Sequence, residues 1–241
     1  MSEQQQQIAE TINAARSRIG LSNDVDLQEF PNLVGMFDHC VNQYAANPAV
    51  SCLGHTLSYA DLDRLSAQFA CYLQEHSGLQ AGDRIAIQMP NILQYPVVLF
   101  GALRAGMIVV NTNPLYSERE LKHQLNDSGA KAIVVLANIA ETAAAVVGDT
   151  GVGTVIVTEV ADLHPPVKRT LINSVLKYVR KEVPSVKFKN SISFRKALAK
   201  GSSKQYQKAA PDLEALALLQ YTGGTTGVSK GAMISHRNLM A

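Results

Sequence analysis

The sequence predicts an α/β protein: parallel-rich sheets flanked by helices. Between residues 84 and 158, short apolar runs of strand length alternate with segments of helical spacing. Those runs (84–89, 107–111, 132–136 and 154–158) are almost continuously apolar, the pattern of strands covered on both faces. Apolar residues make up 46% of the 241, enough for a substantial core.

Taken in order, residues 1–29 form a polar lead-in with one helix near 8–19. Leu33, Phe37, Val41 and Tyr44 then fall at helical spacing, and Asn47-Pro48 ends that helix. Residues 49–53 and 56–58 read as a hairpin around Gly54-His55. Ser58 with Asp61 opens a helix running to His76, closed by Gly78. After the strand at 84–89, Asn91 is expected to cap a helix ending at Ala105-Gly106. Ser117 and Glu120 form a capping box for a helix that stops before Gly129, and 139–147 reads as a further helix. Residues 201–212 (GSSKQYQKAAPD) are polar and loop-like, and no internal repeat is present.

Net charge is only +2, but it is unevenly spread: residues 167–208 carry twelve Lys/Arg and one acid, a local +11 that leaves −9 elsewhere. Within this segment Val167, Leu171, Ile172, Val175, Leu176 and Val179 share one helical face, with Lys168, Arg169, Lys177, Arg180 and Lys181 largely off it. Such a helix ordinarily packs its apolar face on its own domain. The alternative is an anionic membrane surface, contacted peripherally through 167–181. Nucleic acid is not expected as a partner, because little aromatic interleaving accompanies the charges. The three cysteines (Cys40, Cys52, Cys71) fit no zinc spacing and read as small buried hydrophobes of a reducing compartment. No basic, apolar leader opens the chain and the best apolar run, 97–103, is far short of a span. A cytoplasmic location is expected, and the alternative reading of 167–181 would add peripheral contact with the inner membrane.

The densest chemical signal is residues 221–231, YTGGTTGVSKG. Glycines let backbone approach a ligand closely, successive N–H groups in such a turn form a concave anion site, and hydroxyls plus one lysine add donors. Thr222, Gly223, Gly224, Thr225, Thr226, Gly227 and Lys230 are therefore read as a polyphosphate cradle. The loop is not a Walker A motif, since Lys230 follows Ser229 rather than glycine, and no register of its glycines gives G-x-G-x-x-G. Apolar residues 216–221 lead in and 230–235 lead out, so a hairpin is expected rather than a loop opening onto a long helix. No G-x-S-x-G elbow is present, and His39, His55, His76, His123 and His164 show no metal spacing and no paired nucleophile.

Residues 221–239 (YTGGTTGVSKGAMISHRNL) resemble the phosphate-loop signature of the adenylate-forming enzymes, and with Gly223-Gly224 they look most like bacterial long-chain fatty-acid–CoA ligases. Upstream segments match the same family in the same order: GHTLSYADL at 54–62, GDRIAIQMPN at 82–91, GALRAG at 101–106 and NTNPLY at 111–116. The departure is Ser229, where many members carry proline.

The resemblance implies ATP-dependent activation of a long-chain fatty acid to an acyl-adenylate, then transfer to coenzyme A. It implies that the loop holds the β- and γ-phosphates, and that Thr222 helps hold Mg²⁺. Tyr221, His236 and Asn238 become neighbours of the site. Ser235 or Asn238 reads equally as a helix cap, with His236 packed beside it. The family's adenine, ribose and C-terminal elements lie beyond residue 241. The expected organisation is thus a lead-in (1–29) and an incomplete AMP-binding N-terminal domain (30–241) without its C-terminal domain. Within it, 167–212 would be a basic helix and linker, and 213–241 the phosphate hairpin. Such a piece is expected to complete neither half-reaction alone, and a homodimer is counted among its expected partners. Two other readings stay open: an adenylate former for a different carboxylic acid, and a non-catalytic nucleotide- or membrane-binding module.

Overall fold

The computed structural model describes residues 3–20, 29–202, 205–222 and 229–241. A helix α1 (Glu3–Arg18) precedes α2 (Leu33–Tyr44), whose first turn is capped by the Asn32 side chain accepting from Gly35 N. The predicted hairpin forms as β1 (Pro48–Cys52) and β2 (His55–Ser58). Ser58 and Asp61 make a full capping box for α3 (Tyr59–His76), each side chain satisfying the other's backbone N–H.

The alternating region follows: β3 (Arg84–Gln88), α4 (Gln94–Arg104), β4 (Ile108–Asn111), α5 (Glu118–Ser128), β5 (Ala130–Leu136), α6 (Ala140–Val146, with a 3₁₀ turn at each end) and β6 (Thr154–Thr158). Asn91 does not cap α4. Residues 90–95 first make turns, with Ile92 N donating to Pro90 O and Tyr95 N to Ile92 O, and the helix begins at Gln94 with no side-chain cap. After β6 come α7 (Pro166–Ser174), continued by a π-helical turn over Val175–Val179, then β7 (Ser191–Ser193), α8 (Phe194–Gly201), β8 (Leu216–Thr222), β9 (Lys230–Ser235) and α9 (His236–Met240).

Seven strands form one sheet in the order β7-β6-β5-β3-β4-β8-β9, parallel throughout except for β9, which is antiparallel to β8. Helices cover both faces, as the apolar strands predict. On one, Ile85, Ile87, Val134 and Ile156 pack with Phe69 and Leu73 of α3, Val97 of α4 and Phe194 of α8. On the other, Ala86, Val110, Ile133 and Val135 meet Leu121 and Leu125 of α5 and Ala140, Ala143 and Val146 of α6.

Two sequence expectations need correction here. The stretch read as basic helix and linker holds both β7 and α8. Arg195, Lys196 and Lys200 of α8 are exposed, while Phe194, Ala197, Leu198 and Gly201 turn inward. The charges obscured that i, i+3, i+4 pattern. At Gly201 the approach to α3 is so close that a Cβ would lie 1.9 Å from the Gln68 carbonyl oxygen. The apolar face of 167–181 packs inward only in part: Ile172 and Leu176 are half-buried, while Val167, Leu171 and Val179 are 84%, 64% and 74% exposed. The segment is also held at its polar positions. Lys168 Nζ donates to the carbonyls of Leu53 and Gly54, and Asn173 bridges Ala161 N and Glu159 Oε2.

Candidate functional site

The strand order sets where the site lies. From β3 the chain crosses one face through α4 to β4, and from β4 it crosses the other face through α5 to β5, on the far side of β3. Loops leaving the carboxyl ends of β3 and β4 therefore diverge, and an open α/β sheet binds ligands in the crevice at such a switch point. A cavity of about 1300 Å³ sits there. Its walls are Ile87 of β3 with Met89 and Asn91 beyond it, Asn111 of β4 with residues 112–114, Tyr116 and Ser117 beyond it, Tyr95 of α4, Arg119, Glu120 and His123 of α5, and Gln220, Tyr221 and Ser229 of the hairpin.

A chain of polar groups crosses this cavity. Tyr95 Oη donates to Asn111 Oδ1 (2.8 Å), and Asn111 Nδ2 donates to Gln220 Oε1 (3.0 Å). Burial pushes the Tyr95 phenol above its ordinary range, so it stays a neutral donor. These groups link α4, β4 and β8, which are adjacent in space and remote in sequence.

The hairpin stem forms as the sequence predicts, with Tyr221 opposite Gly231 and Thr222 opposite Lys230. Thr222 and Lys230 are both exposed at its mouth. Gly223, Gly224, Thr225, Thr226 and Gly227 lie outside the described residues. Tyr221 turns its ring over Gly231, where a Cβ would come within 3.0 Å of it, and its hydroxyl donates to Asp127 Oδ2 at 2.5 Å. Burial first, and the Asp127 carboxylate second, push this phenol far above its ordinary range.

Asn238 serves as a cap: its Oδ1 accepts from Ser235 N and Oγ, while its own N–H donates to Ser235 Oγ. His236 is 2% exposed, outside the cavity lining, with Nδ1 unpartnered among the described residues. Burial lowers its pKa, so the ring is neutral near pH 7.

Sequence reasoning passed over His123, Tyr95 and Gln220. His123 Nε2 donates to the Ser229 carbonyl (3.2 Å). The signals at this crevice came from the segments 82–91, 111–116 and 221–231, which supply Ile87, Met89, Asn91, residues 111–114, Tyr116, Tyr221 and Ser229 of its lining.

Among the described residues no three His, Cys, Asp or Glu side chains converge as a metal site. The exposed Thr222 hydroxyl is one hard oxygen donor, which fits Mg²⁺ carried mainly by phosphate oxygens and water rather than by a protein cage.

A mostly parallel α/β sheet with a crevice at its switch point, bordered by Gln220, Tyr221 and Ser229 of the hairpin stem, defines the class of fold. The AMP-binding enzyme profile matches residues 37–241, and the chain belongs to that family. It is 50% identical over 218 residues to a long-chain-fatty-acid–CoA ligase of Salmonella typhimurium and 51% identical to one of Escherichia coli O157:H7. Each match covers 90% of this chain and 39% of the relative, so the chain spans about two fifths of those proteins' length. Among solved structures, an anthranilate CoA ligase bound to anthranoyl-AMP aligns over 88% of this chain and 36% of its own, with TM-score 0.71 and 17% identity. A long-chain-fatty-acid–CoA ligase from Archaeoglobus fulgidus gives 0.64 and 23%, covering 88% of this chain and 39% of its own. These structural likenesses establish the fold.

Proposed function

We propose that this chain is the N-terminal part of a long-chain fatty-acid–CoA ligase and supplies its triphosphate grip. The observation that supports the reading is the hairpin stem, which pairs Thr222 with Lys230 at the carboxyl end of β8, next to Tyr221 and Ser229 of the switch-point cavity's wall. In this reading the backbone and hydroxyls of Thr222, Gly223, Gly224, Thr225, Thr226 and Gly227, with the Lys230 ammonium, hold the β- and γ-phosphates of ATP. The fatty-acid carboxylate attacks the α-phosphorus, the bond to the bridging oxygen breaks, and pyrophosphate leaves with its charge met by those donors. The thiol of coenzyme A then attacks the acyl carbon and AMP departs. Thr222 would lend its hydroxyl to Mg²⁺, which supplies further charge neutralisation on the phosphates.

The test is Lys230→Ala in the complete polypeptide. Pyrophosphate release should fall roughly a hundredfold, the typical cost of losing one donor to developing charge. Unchanged release would remove Lys230 from the assignment. A panel of aryl, short-chain and long-chain acids decides the acid class.

A second element of the proposal is peripheral membrane contact through 167–181. The outward-facing Val167, Leu171, Tyr178 and Val179, flanked by Lys177, Arg180 and Lys181, support it. Such contact would place a cytoplasmic enzyme at the inner membrane, where a long-chain acid concentrates. Among the described residues no helix is long and apolar enough to cross a membrane.

A further inference from the structure

Helix α5 meets the hairpin stem twice. Asp127 accepts from the hydroxyl of Tyr221 on β8, and His123 donates to the carbonyl of Ser229, the residue leading into β9. The two side chains are four residues apart, on one face of the helix and just over one turn (about 6 Å) along it. Paired strands lie about 4.8 Å apart. One helical turn therefore spans the two strands, and each is tied by its own side chain.

The helix is a firm anchor. Leu121 and Leu125 are fully buried in the core, the Ser117–Glu120 box caps its start, and Gln124 Nε2 donates to Asn111 O at the end of β4. The Tyr221 ring is held from the other side by Gly231, which has no side chain to displace it.

We propose that Asp127 and His123 are positioning residues: they tie the two strands of the stem at its mouth, one through Tyr221 and the other through Ser229, and so set the placement of Thr222 and Lys230 for the triphosphate. The role in nucleotide binding rests on the proposed function; the tie itself does not.

The experiment uses the complete polypeptide and two readouts. Amide hydrogen exchange without nucleotide, in peptides covering 219–222 and 229–233, should speed up about tenfold in Tyr221→Phe, Asp127→Ala and His123→Ala, the worth of one hydrogen bond to a charged or buried group. KM for Mg-ATP should rise by a similar factor with KM for the fatty acid unchanged. Tyr221→Phe/Asp127→Ala should be no worse than either single variant, because both remove one interaction. Asp127→Asn and His123→Gln, which keep an acceptor and a donor, should recover most of the loss. Unchanged exchange, additive loss in the double variant, or equal rises in both KM values overturn the proposal. Faster exchange in a wild-type-folded variant whose parent shows no dependence on ATP would sink the triphosphate reading and the positioning role, and leave the tie standing.

Discussion

Replacing Arg104 should be the most damaging single change outside the site. Its side chain is 2% exposed, between α2, α3 and the segment that leads to β8. Nη1 donates to Asp63 O (2.9 Å) and Ser66 Oγ (2.8 Å), and Nη2 donates to Asp38 Oδ1 (2.9 Å) and Asp63 Oδ1 (2.5 Å). The guanidinium carbon lies 4.7 Å from the Phe37 ring centroid and 5.7 Å from that of Tyr206. Lys208 also pairs with Asp38, and Ala209 N donates to the Arg104 carbonyl, so the approach to β8 is fastened here. The Asp38 and Asp63 side chains are 24% and 41% exposed and can rehydrate, so their two bonds count at a discount. The two bonds to buried or backbone acceptors, together with the lost packing, carry most of the effect. Arg104→Ala should cost roughly 3–5 kcal/mol, lowering Tm by about 10 °C for a chain of this size. Arg104→Lys should recover little, because an ammonium cannot serve four acceptors in one plane. Urea unfolding followed by circular dichroism measures both. A lysine variant as stable as the parent would refute the fork argument, and an alanine variant within about 0.5 kcal/mol of it would refute the whole network.

Gly201→Ala places a methyl against the Gln68 carbonyl, which belongs to helix backbone and cannot yield; thermal melting should show a loss of about 3 kcal/mol, whereas an exposed helical Gly→Ala would gain. His164 and His236 both have pKa values lowered by burial. Above about pH 6.5 they are neutral folded and unfolded; as pH falls below it, the unfolded chain takes up protons first, so the urea midpoint should drop between pH 7 and 5, and less so in His236→Gln. Leu171→Glu with Val179→Glu should cut sedimentation with phosphatidylglycerol vesicles several-fold and leave that with neutral vesicles unchanged; equal binding by parent and variant would end the membrane reading.

The sequence made visible whatever local chemistry determines. The Ser58–Asp61 and Ser117–Glu120 pairs each lie within four residues and both form boxes, and Ser235 and Asn238, either of which reads as a cap, form a third box together. The apolar runs marked the parallel strands because burial on both faces leaves no polar alternation to read. Residues 194–201 escaped because three cations surround a four-residue apolar stripe. The crevice network escaped for a different reason: Asn111 and Gln220 are 109 residues apart and meet only through the pairing of β4 with β8. His123 carried no signal, since its partner is a backbone carbonyl and any residue could supply that.

That long-range pairing also sets an order of assembly. Strands β3 to β6 and their helices are complete within residues 84–158, and they emerge from the ribosome long before the strand that closes the crevice. Two walls of the cavity would be standing while the third is still being synthesised. Nucleotide could not rescue a faltering early intermediate, because the part of the chain expected to grasp it is made after β3–β6. Mutations that weaken β3–β6 should therefore lower yield even in cells rich in ATP.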